Sequence, residues 1–377
     1  MSITIQTFQP FLLEAWQSRY EQTVRYNLAD SGVQPVTIRE LLTPVQIEHL
    51  LDLPIHYPEV NGTQALRSLI AACYPGATAS HVLVTVGAAE ANQIICQALL
   101  QPGDQVVVME PGYRQVWGLA HNLGCEVRSF ALDPQNGWRP DLAALERAVS
   151  SNTRLIALVN PNNPTGAILT PDEMARIATI AQRSGAWLLA DEVYIGSERL
   201  SIAETPSFWG MAERVIIVGS MSKAYGLSGL RLGWAVADPA LVEELWRRHE
   251  YATIATSAPS MLLAEAALQP ATRTTLIERQ RQLIRSGAAQ IEAWAARYPE
   301  LVSVVPPQAT ALAFVRYHAP LPSIEVAELI RQQGDVLVAP GACFGIESHL
   351  RITHGLGVAY VAEALERIAT VLRSIMV

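Results

Sequence analysis

The stretch Ser220-Met221-Ser222-Lys223-Ala224-Tyr225-Gly226-Leu227-Ser228-Gly229-Leu230-Arg231 links two runs that read as strands, 215–220, apolar through 218, and 232–237. It puts hydroxyls, one amine, flexible glycines and a guanidinium just past the end of a run that reads as a buried strand. Hydroxyls and a guanidinium on a bent backbone suit an anion, and an amine in the same loop is a nucleophile. Outward from this loop, further β-rich apolar runs recur at 81–86, 106–110, 126–131, 155–159 and 187–191. Their stretches 106–109, 155–159 and 187–190 are unbroken apolar, as strands are when both faces of a parallel sheet are covered. Between them the apolar residues take helical spacing, with Leu66, Leu69, Ile70 and Cys73 on one face and Ala88, Ala91, Ile95 and Leu99 on another. Seven strands alternating with helices predict an α/β fold, a three-layer α/β/α large domain around a mostly parallel seven-stranded sheet.

After residue 237 the rhythm changes. A long helical segment near 276–298 carries Leu283, Ile284, Ile291 and Trp294 on a common side, and short strands follow around 303–305 and 311–317. Val361, Leu365, Ile368, Leu372 and Ile375 then alternate at four- and three-residue steps, which predicts a closing helix. These elements define a smaller α+β domain. The expected division is a large domain over 45–275 and a small domain made of 1–44, an N-terminal arm, with 276–377. No repeat, low-complexity tract or flexible linker interrupts the chain, so a cleft between two closely packed domains is expected.

At 377 residues the chain can bury two cores. Half its residues are hydrophobic and 16% are charged, yet no apolar run reaches membrane-spanning length, so the surplus is expected in cores and a subunit interface. Residues 1–20 lack the basic stretch and uninterrupted apolar segment of a secretory leader, and the expected location is cytoplasmic. A formal net charge of −8 argues against a nucleic-acid partner, which needs basic surface. Cys73, Cys96, Cys125 and Cys343 form no C-x-x-C pair and read as buried free thiols. The eight histidines show no paired metal spacing, so no metal site is expected.

A lone lysine in a loop is ordinarily a surface charge, and its neighbours change that reading. The segment 220–231 resembles the cofactor-lysine signature of the fold-type I pyridoxal 5′-phosphate-dependent aminotransferases of class I/II, the aspartate aminotransferase superfamily, with Ser220 three residues before Lys223 and Arg231 eight after. Asn160-Pro161-Asn162-Asn163-Pro164-Thr165-Gly166 is similar to that family's N-P-x-N-P-T-G turn, and Asp191-Glu192-Val193-Tyr194 to its D-E-x-Y strand end. Val86-Gly87-Ala88-Ala89-Glu90 resembles its phosphate turn, Pro111-Gly112-Tyr113 the aromatic that covers the ring, and Phe344-Gly345 with Leu350-Arg351-Ile352 the carboxylate-binding arginine. Each motif alone is weak. Six in the family's order across nearly the whole chain are specific.

The resemblance implies pyridoxal 5′-phosphate held by Lys223 as a Schiff base, and transfer of an amino group from an amino acid to a 2-oxo acid through the pyridoxamine form. Asp191 would keep the ring nitrogen protonated, while Tyr194 and Asn163 would hydrogen-bond the ring oxygen. Gly87, Ala88 and Ala89 would offer backbone N–H groups to the phosphate, completed by Ser220, Ser222 and Arg231. The family often has serine or threonine where this chain has Ala88 and Ala89, so backbone donors carry more here. Tyr113 would stack on the ring, and Tyr57 would reach the phosphate of the neighbouring subunit, which implies a homodimer with active sites at the interface. Arg351 would bind the substrate α-carboxylate, with Gly32 lining the same pocket and His354 either touching substrate or filling space. Plainer uses stay open beside these: a cap for Asp191, a core ring for Tyr113, a turn aromatic for Tyr57, a salt bridge for Arg351.

Two further readings share parts of this pattern. Stretches 31–33 and 340–345 look somewhat like those of capreomycidine-synthase-type cyclases, so an elimination or ring closure on a modified amino acid is the alternative on the same cofactor. A non-catalytic sensor, like the aminotransferase-like half of certain transcription regulators, would need a DNA-binding domain, and no helix-turn-helix pattern precedes the fold. Dicarboxylic, aromatic and aliphatic donors all remain open.

Overall fold

A computed structural model describes residues 8–376; residues 1–7 and 377, assigned above to the small domain, lie outside the described residues. Eight strands form the main sheet: β1 Val82–Thr85, β2 Gln105–Glu110, β3 Glu126–Asp133, β4 Arg139–Pro140, β5 Thr153–Val159, β6 Trp187–Asp191, β7 Val215–Ser220 and β8 Gly233–Val236. Their order is β1-β8-β7-β6-β5-β2-β3-β4, with parallel pairing from β7 through β3 and antiparallel pairing at both margins. All seven expected strands are present. The eighth, β4, has two residues, too few to leave a periodic signal, and its proline is tolerated because it sits at the sheet edge.

Both faces of this sheet are covered. One carries Val84, Val107, Ile156, Leu188 and Ile217, the other Leu83, Val106, Leu155, Leu189 and Ile216, all buried. The chain runs from β2 outward to β3 and β4, then returns to place β5 on the opposite side of β2. Such a reversal opens a crevice at the carboxyl ends of the strands, where ligands of open α/β sheets bind.

A second core gathers Tyr26, Leu28, Ile291, Trp294, Val315, Ile352, Leu365 and Ile368. It lies among a four-stranded antiparallel sheet of β9 Val302–Val304, β10 Leu312–Tyr317, β11 Ala339–Pro340 and β12 His349–Thr353, the 28-residue helix Pro270–Arg297 and the closing helix Val358–Ser374. Tyr26–Asn27 pairs in parallel with Val336–Leu337, which ties the N-terminal arm to this part of the molecule. The long helix begins six residues before the expected 276, because its first turn is polar and exposed and shows no apolar period.

One expectation is corrected. Cys96, Cys125 and Cys343 are buried free thiols, but Cys73 is exposed. The helix Gln64–Ala71 ends before it, so the apolar spacing that included Cys73 runs past the last helical turn. Among the described residues no helix is long and apolar enough to cross a membrane, and no cluster of candidate metal ligands occurs.

Candidate active site

The parallel strands deliver their last residues to one place. Asp191 closes β6 and Ser220 closes β7, β5 hands over to the turn 160–166, and β2 hands over to Tyr113. The turn holds its own shape: Asn160 Oδ1 accepts from Leu169 N at 3.0 Å, and Asn162 Oδ1 accepts from Thr165 Oγ1 at 2.8 Å. Gly166 stands at φ +70°, and a Cβ there would lie 2.5 Å from Pro307 Cβ. A cavity of about 480 Å³ opens at these strand ends, lined by Tyr113, Asn163, Asp191, Tyr194, Lys223 and Arg231 among others. That size suits a small cofactor with its substrate.

Its polar groups are individually under-partnered. Lys223 Nζ donates to Ser31 Oγ at 2.7 Å, and burial pushes the amine below the usual lysine range. Asp191 is 7% exposed; burial raises its carboxyl to about 6, against weak donation from Val193 N and Asn92 Nδ2, both at 3.3 Å. The adjacent Glu192 is raised to about 8 by burial, but it faces away into donations from Ser207 Oγ at 2.6 Å and Phe208 N at 2.7 Å. Arg351 projects from β12 and is fully buried. Its Nη1 donates to Asn163 Oδ1 at 3.0 Å, its Nη2 to Ala29 O, and its Nε has no partner. Among the described residues no carboxylate stands within ion-pair distance of Lys223 or Arg351. A buried guanidinium without a counter-charge is costly, and an incoming carboxylate relieves it.

An anion cradle lies at the other end. The helix α2, Gly87–Leu99, starts directly after β1 with Gly87 at φ +76°. A Cβ on Gly87 would sit 2.7 Å from Arg231 Nη2, so glycine is what lets the guanidinium lie against the helix start. Arg231 itself is held at φ +48° with Nη1 donating to Ser228 O at 3.1 Å. Ser220 and Ser222 are buried beside it, joined by Ser222 N donating to Ser220 Oγ at 3.0 Å. Free N–H groups of the first helical turn, two hydroxyls and a guanidinium match a phosphate.

Most of the residues singled out from sequence therefore converge on one cavity: Ala88, Ala89, Tyr113, Asn163, Asp191, Tyr194, Ser220, Ser222, Lys223 and Arg231 line it. Gly87 and Arg351 lie one contact behind the lining, through Arg231 and Asn163. Gly32 is buried beside it, its carbonyl accepting from Thr353 Oγ1 at 3.1 Å, while the neighbouring Ser31 forms the wall. Tyr57 is not in the cavity but 79% exposed on the protomer surface. His354 lies off the lining, with both ring nitrogens unpartnered and its imidazole pushed down to about 3 by burial. Phe11, Glu14, Asn92 and Gln115 line the cavity and were not read from sequence. One signal was available and unused: Lys223 is the only lysine in the sequence, every other basic side chain besides histidine being arginine.

These residues fit pyridoxal 5′-phosphate on their own chemistry: a half-buried amine without a counter-charge for its aldehyde, a buried carboxylate without a counter-charge for its ring nitrogen, and a cradle for its phosphate. The fold and site define an enzyme of the pyridoxal 5′-phosphate-dependent transferases. Residues 55–368 match the family model for aminotransferase class I and II, and the chain belongs to that family, whose members depend on this cofactor. It is 33% identical over 347 residues to capreomycidine synthase of Streptomyces vinaceus, covering 90% of this chain and 88% of that one. It is 29% identical over 332 residues to an aspartate aminotransferase of Streptomyces avermitilis, covering 84% and 79%. A crystal structure of a PLP-dependent aminotransferase from Streptococcus suis superposes with a TM-score of 0.90 at 28% identity, covering 98% of this chain and 99% of that one.

Proposed function

We propose that the chain transfers the amino group of an amino acid to a 2-oxo acid, with Lys223, Asp191 and Tyr194 as its catalytic residues. The observation that carries this reading is that Lys223 and Asp191 line one cavity with no counter-charge in ion-pair distance, and that the buried Arg351 stands one contact behind them through Asn163. Pyridoxal 5′-phosphate, when bound, supplies an electrophilic carbon and a ring that accepts electrons. Burial keeps the Lys223 amine neutral at lower pH than a solvated lysine, so Nζ can take the substrate α-proton and return it. Arg351 receives the α-carboxylate, its paired donors orienting the α-hydrogen toward Nζ. Asp191 would hold the ring nitrogen's proton, and Tyr194 and Asn163 would hold the ring oxygen. Arg231, Ser220, Ser222 and the N–H groups at Ala88 and Ala89 would hold the phosphate.

The division into a large domain over 45–275 and a small domain of 1–44 with 276–377 is supported by the second core, which draws only on the latter segments, while the first core also takes in Leu13, Leu41 and Phe344 from them. The chain works as a homodimer in which Tyr57 reaches the partner's site. The exposure of Leu51 at 72%, Ile55 at 94% and Tyr57 at 79% along one segment supports that interface.

A second reading keeps the cofactor and ends in ring closure or elimination. It is favoured by the 33% identity to capreomycidine synthase across most of both chains. A single-turnover experiment separates them: enzyme mixed with a donor and no acceptor, the products identified by mass. Transfer predicts one 2-oxo acid per active site and renewed turnover when a 2-oxo acid is added. A cyclic or unsaturated product formed catalytically without an acceptor would replace the first reading by the second.

A further inference from the structure

One wall of the cavity takes no part in the chemistry just described. Helix α1, Leu12–Tyr20, brings Glu14 to it, with Phe11 immediately ahead of the helix. A Glu14 carboxylate oxygen accepts from Tyr113 OH at 2.9 Å, and the Phe11 ring meets the Tyr113 ring edge-on at 5.1 Å. Three residues on, Gln17 Nε2 donates to Ala29 O at 2.7 Å, the same carbonyl that receives Arg351 Nη2. Residues three apart share a helix face, so Glu14 lies on the face turned toward the Arg351 anchor, about 4.5 Å further along the axis.

A second carboxylate stands nearby. Asp30 follows Ala29, its Oδ1 accepting from Ser31 N at 2.5 Å and Gly32 N at 3.2 Å, and Ser31 Oγ in turn accepts from Lys223 Nζ. Both acids act on the site electrostatically, each opposing the downward push of burial on Lys223 and on Arg351. The other charged groups at the cavity have partners in the reading above: Arg231 the phosphate, Arg351 the α-carboxylate, Asp191 the ring nitrogen. No arginine besides Arg231 lines this protomer's cavity among the described residues, so its own wall holds no cation left over for a side-chain carboxylate. Such a substrate would instead meet the like charge of Glu14, within the field of Asp30. An aliphatic stem ending in a cation meets the Phe11 and Tyr113 rings along its length and a carboxylate at its tip.

We propose that this site selects amino acids whose side chain ends in an ammonium or guanidinium group, and that Glu14 receives that cation, with Asp30 adding to the field. The proposal rests on the amino-acid chemistry proposed above and names the substrate class.

Arginine and citrulline are nearly the same shape and differ in charge, which makes them the probe pair. Holoenzyme is given each with pyruvate, and both donor consumption and 2-oxo acid formation are followed, so that a cyclising outcome is counted too. Arginine is expected to exceed citrulline in kcat/KM by about tenfold or more, and glutamate to be the poorest of the three. Glu14→Gln keeps an acceptor for the Tyr113 hydroxyl while removing the charge, and should bring the arginine-to-citrulline ratio to within about twofold. Tyr113→Phe removes the hydroxyl and leaves the charge, and should preserve the ratio. A wild-type ratio near one, a ratio that survives Glu14→Gln, or a ratio that falls equally in Tyr113→Phe overturns the proposal. Consumption of alanine or glutamate but of neither probe overturns it and leaves the proposed function standing. Consumption of no amino acid at all removes both.

Discussion

Replacing Asp191 with asparagine should make the cofactor-free protein more stable while disabling the enzyme. Burial moves the Asp191 carboxyl from 3.8 to about 6, so keeping it ionised at neutral pH costs the folded protein about 3 kcal/mol. The sign follows from where protons bind. Between about pH 4 and pH 6 the folded state holds a proton that the unfolded state has lost, so this group's contribution falls as pH rises and reaches its full cost above about pH 6. Asparagine has nearly the same shape and no charge to desolvate. Urea unfolding of the cofactor-free forms at one fixed protomer concentration should place Asp191→Asn above wild type by about 3 kcal/mol at pH 7.5 and level with it near pH 4. With cofactor bound, the protonated ring nitrogen offsets the cost in wild type alone. Losing that pairing should lower kcat by about a hundredfold, the kinetic equivalent of the same energy. A variant no more stable than wild type at pH 7.5, or a difference that does not change between pH 4 and pH 7.5, would refute the view that this carboxylate awaits a cation.

Arg351→Lys keeps the charge but loses the paired fork and leaves Asn163 Oδ1 or Ala29 O without its donor, so kcat/KM for the donor should fall about a hundredfold. Cofactor affinity, followed by fluorescence titration, should stay within about twofold; a large loss there would place Arg351 elsewhere in the site. Gly87→Ala forces a side chain into positive φ and sets its Cβ against Arg231 Nη2, so the cofactor dissociation constant should rise about tenfold or more. An unchanged constant in that variant would mean the cradle at the start of α2 does not hold the phosphate.

Much of the fold was legible because its strands are buried on both faces. Runs such as 155–159 and 215–218 are apolar throughout, and β5 and β7 contain them. What escaped was short or polar: β4 has two residues, and the first turn of the long helix offers no apolar stripe. Cys73 failed for the opposite reason, since a spacing continued past the helix end looks helical in sequence. In the site, residues carried on local motifs could be read, and those brought in by tertiary packing could not. Asn92 sits one helical turn beyond Ala88 on α2 and reaches Asp191 only because β6 ends beside that helix. Glu14 belongs to a separate helix that the Gln17 contact with Ala29 docks on the cavity. Arg351 was legible as an arginine for a carboxylate, but its complete burial against the Ala29 carbonyl was not.

Because the chain has a single lysine, the covalent anchor can be located without ambiguity. The holoenzyme is reduced with borohydride, denatured, and its intact mass and peptides are measured. One cofactor-derived group per chain, on the peptide carrying Lys223 and absent from Lys223→Ala, is the predicted result. A protein that retains no group after reduction, or retains it on the terminal amine instead, contradicts the assignment on which the whole site reading stands.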